Sequence, residues 1–201
     1  MAQYDVILAS RSPRRREILS MLGVKFEIVS ADADEASEIT EPAFLVRELA
    51  LRKGRATLEL LRKEGRVSDR TLIIASDTVV AVDGKILGKP ADEAEAREML
   101  RSLSGRSHKV VSGVALLTGD REVAASEETA VRFAVLTEQA IDRYVRSGEP
   151  MDKAGAYAIQ GGASVWVEGI DGDYHNVVGL PVYRLNRLLE DFLGIGLLDL
   201  T

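Results

Sequence analysis

A mixed α/β fold is predicted by this sequence, on three observations. Short runs suited to buried strands alternate with helical stretches that begin at Ser, Thr or Pro and stop at glycine. Two long apolar runs flank a brief polar turn near residues 118–121, the pattern of antiparallel neighbours. With 201 residues, 46% hydrophobic and 29% charged, the chain can bury one sizeable core and is too apolar for disorder. One domain over residues 1–201, cleft into two lobes, is the expected organisation.

The elements follow in order. "YDVILAS" reads as a short buried strand, after which Ser12 stands at an N-cap and Pro13 at the first helical position. That helix runs to about Leu22 and stops at Gly23. "KFEIVS" alternates as a second strand, and the acidic loop "ADADEASEITE" follows. Pro42 opens a long helix ending near Gly65. Its apolar stripe contains Leu45, Leu49, Ala56 and Leu60, with Lys53 on the stripe's edge. "TLIIASDTVVAV" is strand-like with a polar interruption, and Asp83-Gly84 predicts a hairpin into "KILGKP". "ADEAEAREMLRSLSG" is an amphipathic helix closed by Gly105. "HKVVSGVALLTGDREVAASEETAVRFAVL" gives two or three antiparallel strands. Thr137 caps a helix over "EQAIDRYVR". Residues 150–172 are rich in glycine and small side chains and read as functional loop. A last helix runs from about Pro181 to Phe192.

Composition removes several classes of function. There is no cysteine, which excludes disulfides, thiolate nucleophiles and zinc–thiolate sites. The net charge of −6, from 26 basic and 32 acidic side chains, argues against a general nucleic-acid binder and confines any polyanion site to a local patch. The opening "MAQYDVILAS" lacks a leader pattern, and no apolar run nears the roughly 18 residues that span a bilayer. A cytoplasmic protein with no membrane partner is expected. His108 and His175 lack metal-ligand spacing, and neither a phosphate-binding P-loop nor a dinucleotide glycine fingerprint is present.

Against this background four local conflicts stand out. "LASRSPRRREIL" puts Arg11, Arg14, Arg15 and Arg16 at a helix start, where the backbone dipole disfavours cations by a few tenths of a kcal/mol each. A bound anion reverses that sign, because free N–H groups, guanidinium forks and the Ser10 hydroxyl would all face it. Arg14 and Arg15, in the first turn, are the better candidates; the alternative is a solvated basic helix start. Lys53 either snorkels or points its ammonium into a cleft. Asp77, among apolar strand residues, is either a turn aspartate or a base or metal ligand. Lys89 lies on a stiff Gly-Pro loop. The acidic run Asp32, Asp34 and Glu35 is either a solvated loop or a source of ligands for a hard cation.

Taken together, "LASRSPRRREIL", "ASDTVV", "LGKP", "LSGRSHKVVSGV", "MDKAGAYAIQG" and "GDYHNVVGLPV" resemble the Maf family of nucleoside triphosphate pyrophosphatases, in order from Leu8 to about Leu188. The resemblance implies an elongated mixed sheet with flanking helices and a central cleft, similar to inosine-triphosphate pyrophosphatases. It implies hydrolysis to the nucleoside monophosphate and pyrophosphate with a divalent cation (Mg²⁺, Mn²⁺ or Co²⁺). By the same resemblance Ser10, Arg14, Arg15, Lys53 and Lys89 hold phosphates and Asp77 accepts a proton. Glu35, with Asp34 as the alternative, and Asp77 are linked to metal. Arg14, Thr78 and Gln160 look like the branch acting on dTTP and UTP. Ala158 departs from the pattern, where a glycine is expected. A homodimer is the assembly the resemblance suggests testing for.

The chemistry agrees with the residue types. Phosphoryl transfer needs mostly positioning and charge stabilisation, which cationic side chains supply. A glutamine amide can accept from N3–H and donate to O4 of uracil or thymine, where cytosine has the opposite polarity. Two rivals differ in class. A nucleotidyltransferase would need an acceptor and stall on UTP alone. A cell-division regulatory protein would use the basic loop for a partner or nucleic acid.

Overall fold

The computed structural model describes residues 4–201; residues 1–3, part of the stretch read for a leader pattern, lie outside them. Strand β1 (Asp5–Leu8) leads into helix α1 (Pro13–Met21), strand β2 (Phe26–Ile28) and the long helix α2 (Pro42–Lys63). Then come β3 (Thr71–Val82), β4 (Lys85–Leu87), α3 (Glu93–Leu103), β5 (Ser107–Leu117), β6 (Glu122–Phe133) and α4 (Glu138–Arg146). Three 3-10 turns (Glu149–Asp152, Ala154–Ala156, Gly162–Trp166) precede β7 (Val167–Asp171), α5 (Tyr174–Val178) and α6 (Val182–Leu193).

These strands form one mixed sheet in the order β2-β1-β3-β5-β6-β7, with β4 also on β3. β1 runs parallel to both β2 and β3, and every other pairing is antiparallel. The chain leaves β1 through α1 to one side and returns through α2 to the other. The carboxyl end of β1 is therefore a topological switch point, where open α/β sheets leave a crevice.

Strand alternation sorts the core. Val6, Leu8, Leu72, Ile74, Val114 and Leu116 pack with α1 and α6 on one face. Ile7, Ala9, Ile73, Ala75, Ala115 and Leu117 pack with α2 on the other. Successive residues point to opposite faces, so every second side chain joins the same cluster. Further along the sheet Val80, Val82, Val110, Val131 and Phe133 pack with α3 and α4.

α2 differs from the expected stripe. Its buried residues are Leu45, Val46, Leu49, Ala50, Gly54, Thr57, Leu58 and Leu61, whereas Ala56 and Leu60 are only half-buried. The inward face is rotated toward Gly54 and Thr57, and Lys53 therefore rides on the sheet side of the helix. Two glycine contacts explain the rotation. A Cβ on Gly54 would meet Leu117 Cδ1 at 2.2 Å, and a Cβ on Gly113 would meet the Val46 carbonyl oxygen at 2.2 Å. Helix and sheet touch backbone to backbone at Gly113, a contact that hydrophobic patterning does not reveal.

β3 is one continuous strand of 12 residues, so Asp77 is no turn aspartate. The segment 150–172, expected as loop throughout, contains β7, whose pairing with β6 shifts between Arg132 and Phe133. Ser12 holds the N-cap position without a side-chain bond; instead its N–H donates to Ser10 Oγ at 3.2 Å. His108 is buried, shares a 2.7 Å hydrogen bond with the Tyr157 hydroxyl, and is pushed down to about 4 by burial.

The Gly113 contact yields a direct test. Gly113→Ala forces α2 off the sheet and is expected to destabilise by about 1–3 kcal/mol or more. At about 2–4 °C per kcal/mol for a chain of this size, the melting temperature falls several degrees. Scanning calorimetry checks it, and an unchanged melting temperature would contradict the close approach.

Candidate active site

A cleft of about 770 Å³ opens at the carboxyl end of β1, lined by Ser10, Arg14, Arg15, Glu35, Lys53, Asp77, Thr78, Lys89 and Gln160 among others. Most residues singled out from the sequence thus face one cavity; Arg16 and Asp34 do not line it. Its walls carry six basic side chains (Arg11, Arg14, Arg15, Lys53, Lys89, Lys153) against four acidic ones (Asp32, Glu35, Asp77, Asp152). In a chain of net charge −6 this is a local positive surplus.

The cleft exists because β3 is bare along part of one edge. β1 pairs with residues 71–74 and β4 with residues 80–82. Between them, residues 75–79 have only β5 as a strand partner among the described residues. Asp77 points to the α2 face with Ala75 and Val79, while Ser76 and Thr78 point to the other. At an open edge, side chains from both faces reach the same space.

On the α2 face, Lys53 Nζ lies 2.5 Å from Asp77 Oδ1 and 2.8 Å from Glu35 Oε1. The Lys53 and Asp77 side chains are 21% and 12% exposed, so Lys53 does not snorkel into water. The hydrogen bond from Lys53 holds the Glu35 carboxyl below the ordinary carboxylate range, against the opposing effect of its partial burial, with Lys89 and Arg15 adding weaker attraction. Asp34 plays another part: its Oδ1 closes a turn by accepting from Ala36 N at 2.9 Å. Arg52 anchors this loop through the Asp34 and Ala36 carbonyls.

On the opposite face Arg15 is engaged with protein. Its Nε donates to the Gly179 carbonyl at 2.8 Å, Nη1 to Ser10 Oγ at 3.2 Å and Nη2 to Thr78 Oγ1 at 3.1 Å. Burial pulls its guanidinium pKa down, with the Asp77 carboxylate opposing. The Thr78 hydroxyl also shares a 2.8 Å bond with Ser112, which donates to the Asn176 carbonyl at 3.0 Å. Arg14 and Lys89, by contrast, make no hydrogen bond or ion pair among the described residues, and neither does the Gln160 amide. The Lys89 loop is fixed by its backbone, where Gly155 N donates to the Gly88 carbonyl at 3.0 Å. Arg11 is solvated and pairs with Asp32, and Arg16 is exposed.

Sequence reasoning did not single out Lys153, whose mostly buried side chain lines the cleft and pairs with Asp152. The signal was present in "MDKAG", a basic residue beside an acid in a glycine-rich segment. Ser112 and Gly179 were also missed, since a serine in an apolar strand and a glycine before "LP" carry no chemical mark alone.

The family model of a Maf-like protein matches residues 5–192. The chain belongs to the Maf-like family. A Maf-like relative from Symbiobacterium thermophilum, named dTTP/UTP pyrophosphatase, is 52% identical over 189 residues, 94% of either chain. One of the same name from Bacillus cereus is 47% identical over 188 residues, 93% of this chain and 95% of its own. Among solved structures, the Staphylococcus aureus Ham1 protein matches this Maf-like chain with a TM-score of 0.47 at 15% identity, over 65% of this chain and 72% of that one. No helix of the described residues is long and apolar enough to cross a membrane.

The Glu35–Lys53 pair predicts an acid-side signature. Because the folded pKa is depressed, the pair's contribution is complete above the unfolded value of about 4.3 and is lost as pH falls through the folded one. The stability difference between wild type and Glu35→Gln should therefore be constant near neutrality and shrink below about pH 4. Urea denaturation at a series of pH values checks this; a difference independent of pH down to 2 would remove the ion pair from the account.

Proposed function

We propose that this protein hydrolyses dTTP and UTP, in the cytoplasm, to the nucleoside monophosphate and pyrophosphate, by attack of water on the α-phosphorus. The observation that carries the proposal is the convergence in one cleft of two uncommitted cations, Arg14 and Lys89, with the Lys53–Asp77 pair. The names of the two relatives, both dTTP/UTP pyrophosphatases, support the substrate.

Each residue has a derived task. Arg14 and Lys89 take the phosphate oxygens, since no protein acceptor competes for their N–H groups. Ser10 Oγ accepts from Ser12 N and Arg15, which leaves its own O–H free to donate to the same anion. Lys53 has three N–H donors; Glu35 and Asp77 take two, and the third is open to a phosphoryl oxygen. Arg15 keeps two N–H donors beyond its three protein bonds and can share the anion while holding Ser10 and Thr78 in place. Asp77 is the proton acceptor for the attacking water, its carboxylate oriented by the contact with Lys53. Pyrophosphate departs with its charge neutralised by the same cations.

Glu35 and Asp77 fit a divalent cation. Both present hard oxygen donors around one nitrogen, and magnesium typically takes one or two carboxylates plus substrate phosphates. Such an ion supplies charge neutralisation and polarisation of phosphoryl oxygens. Among the described residues no cluster of three or more His, Asp or Glu side chains converges, which favours a site completed by the substrate.

Gln160 reads the base. Its amide lines the cleft unpaired, free to accept from N3–H and donate to O4 of uracil or thymine. Thr78 acts on specificity through shape, since its hydroxyl is engaged with Arg15 and Ser112.

Three measurements test this reading. Incubation with UTP alone and a divalent cation should release UMP and pyrophosphate, whereas a nucleotidyltransferase would stall. Asp77→Asn should lower kcat by about 10²–10⁴-fold while the enzyme still binds nucleotide; near wild-type turnover would exclude Asp77 as the base. In a separate competition, Arg14→Ala should raise the KM for UTP more than it lowers kcat.

A further inference from the structure

Gln160 sits in a tight turn, with Gly161 N donating to the Ala158 carbonyl at 3.1 Å. Both stems of that turn are held from behind by one side-chain pair. Ala158 N donates to the Tyr144 hydroxyl at 3.2 Å, and Gly162 N donates to both Glu149 carboxylate oxygens at 3.0 and 3.1 Å. The Tyr144 hydroxyl donates in turn to Glu149 Oε1 at 2.8 Å, which joins the two stems. Tyr144 is buried on α4 and its ring packs edge-on to Trp166 at 5.0 Å. A Cβ on Gly161 would meet Glu149 Oε1 at 1.9 Å, so the turn is seated directly on the carboxylate.

We propose that Tyr144 and Glu149 are positioning residues that clamp the Gln160 turn and thereby set how sharply the site tells uracil from cytosine. The proposal rests on the base-reading role of Gln160. An amide that discriminates by polarity must stand in register with the base edge, because a turn free to shift carries its donor and acceptor away from the N3 and O4 positions and weakens the penalty against cytosine. The Gln160 amide has no partner of its own among the described residues, so its placement against the base edge depends on how its turn is held. The clamp is peripheral to the phosphate end: neither Tyr144 nor Glu149 lines the cleft. Burial raises the Tyr144 phenol above its ordinary range, which keeps it a protonated donor.

The test compares kcat/KM for UTP and CTP in wild type, Glu149→Ala, Glu149→Gln, Tyr144→Phe, Gln160→Ala and the Glu149→Ala/Gln160→Ala double variant, with melting curves for each. Glu149→Ala should lower the UTP-to-CTP ratio at least tenfold and Tyr144→Phe should lower it in the same direction. Glu149→Gln, which keeps an acceptor for Gly162 N, should retain most of the ratio. The double variant should lose no more than Gln160→Ala alone. A purely structural role would lower both nucleotides together and leave the ratio unmoved. A wild-type ratio in Glu149→Ala, or in Tyr144→Phe should Glu149→Ala not fold, overturns the clamp while Gln160→Ala still collapses the ratio. If Gln160→Ala itself keeps the ratio, the base-reading role fails and the clamp proposal with it.

Discussion

The ion pair between Lys53 and Asp77 is the interaction on which the rest of the site depends. It joins the middle of α2 to the middle of β3, two elements whose facing surfaces are otherwise apolar. Removing both charges from water is expensive, and such pairs rarely repay that cost in stability. Breaking one by deleting a partner typically costs about 3–5 kcal/mol, since it strands a buried charge. Its use is therefore placement: the pair fixes the position of a carboxylate at the floor of the cleft. The pair forms only if α2 lies close to the sheet. Gly113, directly opposite Asp77 in the β3–β5 register, makes that approach possible by omitting a side chain where the Val46 carbonyl passes.

Topology then determines what surrounds the pair. β1 is short, and its carboxyl end stops before Asp77 is reached along β3; β4 begins to pair only at Val80. The bare edge admits the loop after β1 from one direction and the 152–160 segment from the other. Strand alternation, which elsewhere separates two cores, here sends Asp77 to one wall and Thr78 to the other. Adjacent residues thus serve different subsites: Asp77 meets Lys53 and Glu35, and Thr78 meets Arg15 and Ser112.

Much of this was legible in the sequence where local chemistry violated a local rule. Three of the four arginines at a helix start, the aspartate within an apolar strand and the lysine near an apolar stripe proved to face one cleft. The helices announced themselves through Pro13, Pro42, Thr137 and the terminal glycines, because caps are local. What was not legible depended on distant contacts. The rotation of α2 is set by Leu117 and Gly113, far along the chain, and so the predicted stripe fell on Ala56 and Leu60. β7 was hidden because "VEGID" is short, acidic and glycine-containing, and its strand character comes from pairing with β6. Where Asp34 and Glu35 lie was equally non-local: Glu35 reaches Lys53, and Asp34 closes a turn.

The paired arginines show why residue type alone could not assign roles. Arg14 and Arg15 are neighbours in the first turn of α1, and both were read as anion ligands. A single residue step along the helix separates their directions by about 100°. Arg15 is turned inward and ties three segments together, through Ser10, Thr78 and Gly179. Arg14 is turned into the cleft with every donor free. A flexible cation costs entropy to order on binding, on the order of 2 kcal/mol for an arginine. Arg15 has met that cost during folding, and the frame it holds positions Ser10 and the start of α1. On the proposed reading, only Arg14 and Lys89 are left to be ordered by the substrate. The cleft thus divides its cations between Arg15 and Lys53, committed to protein partners, and Arg14 and Lys89, which have none among the described residues.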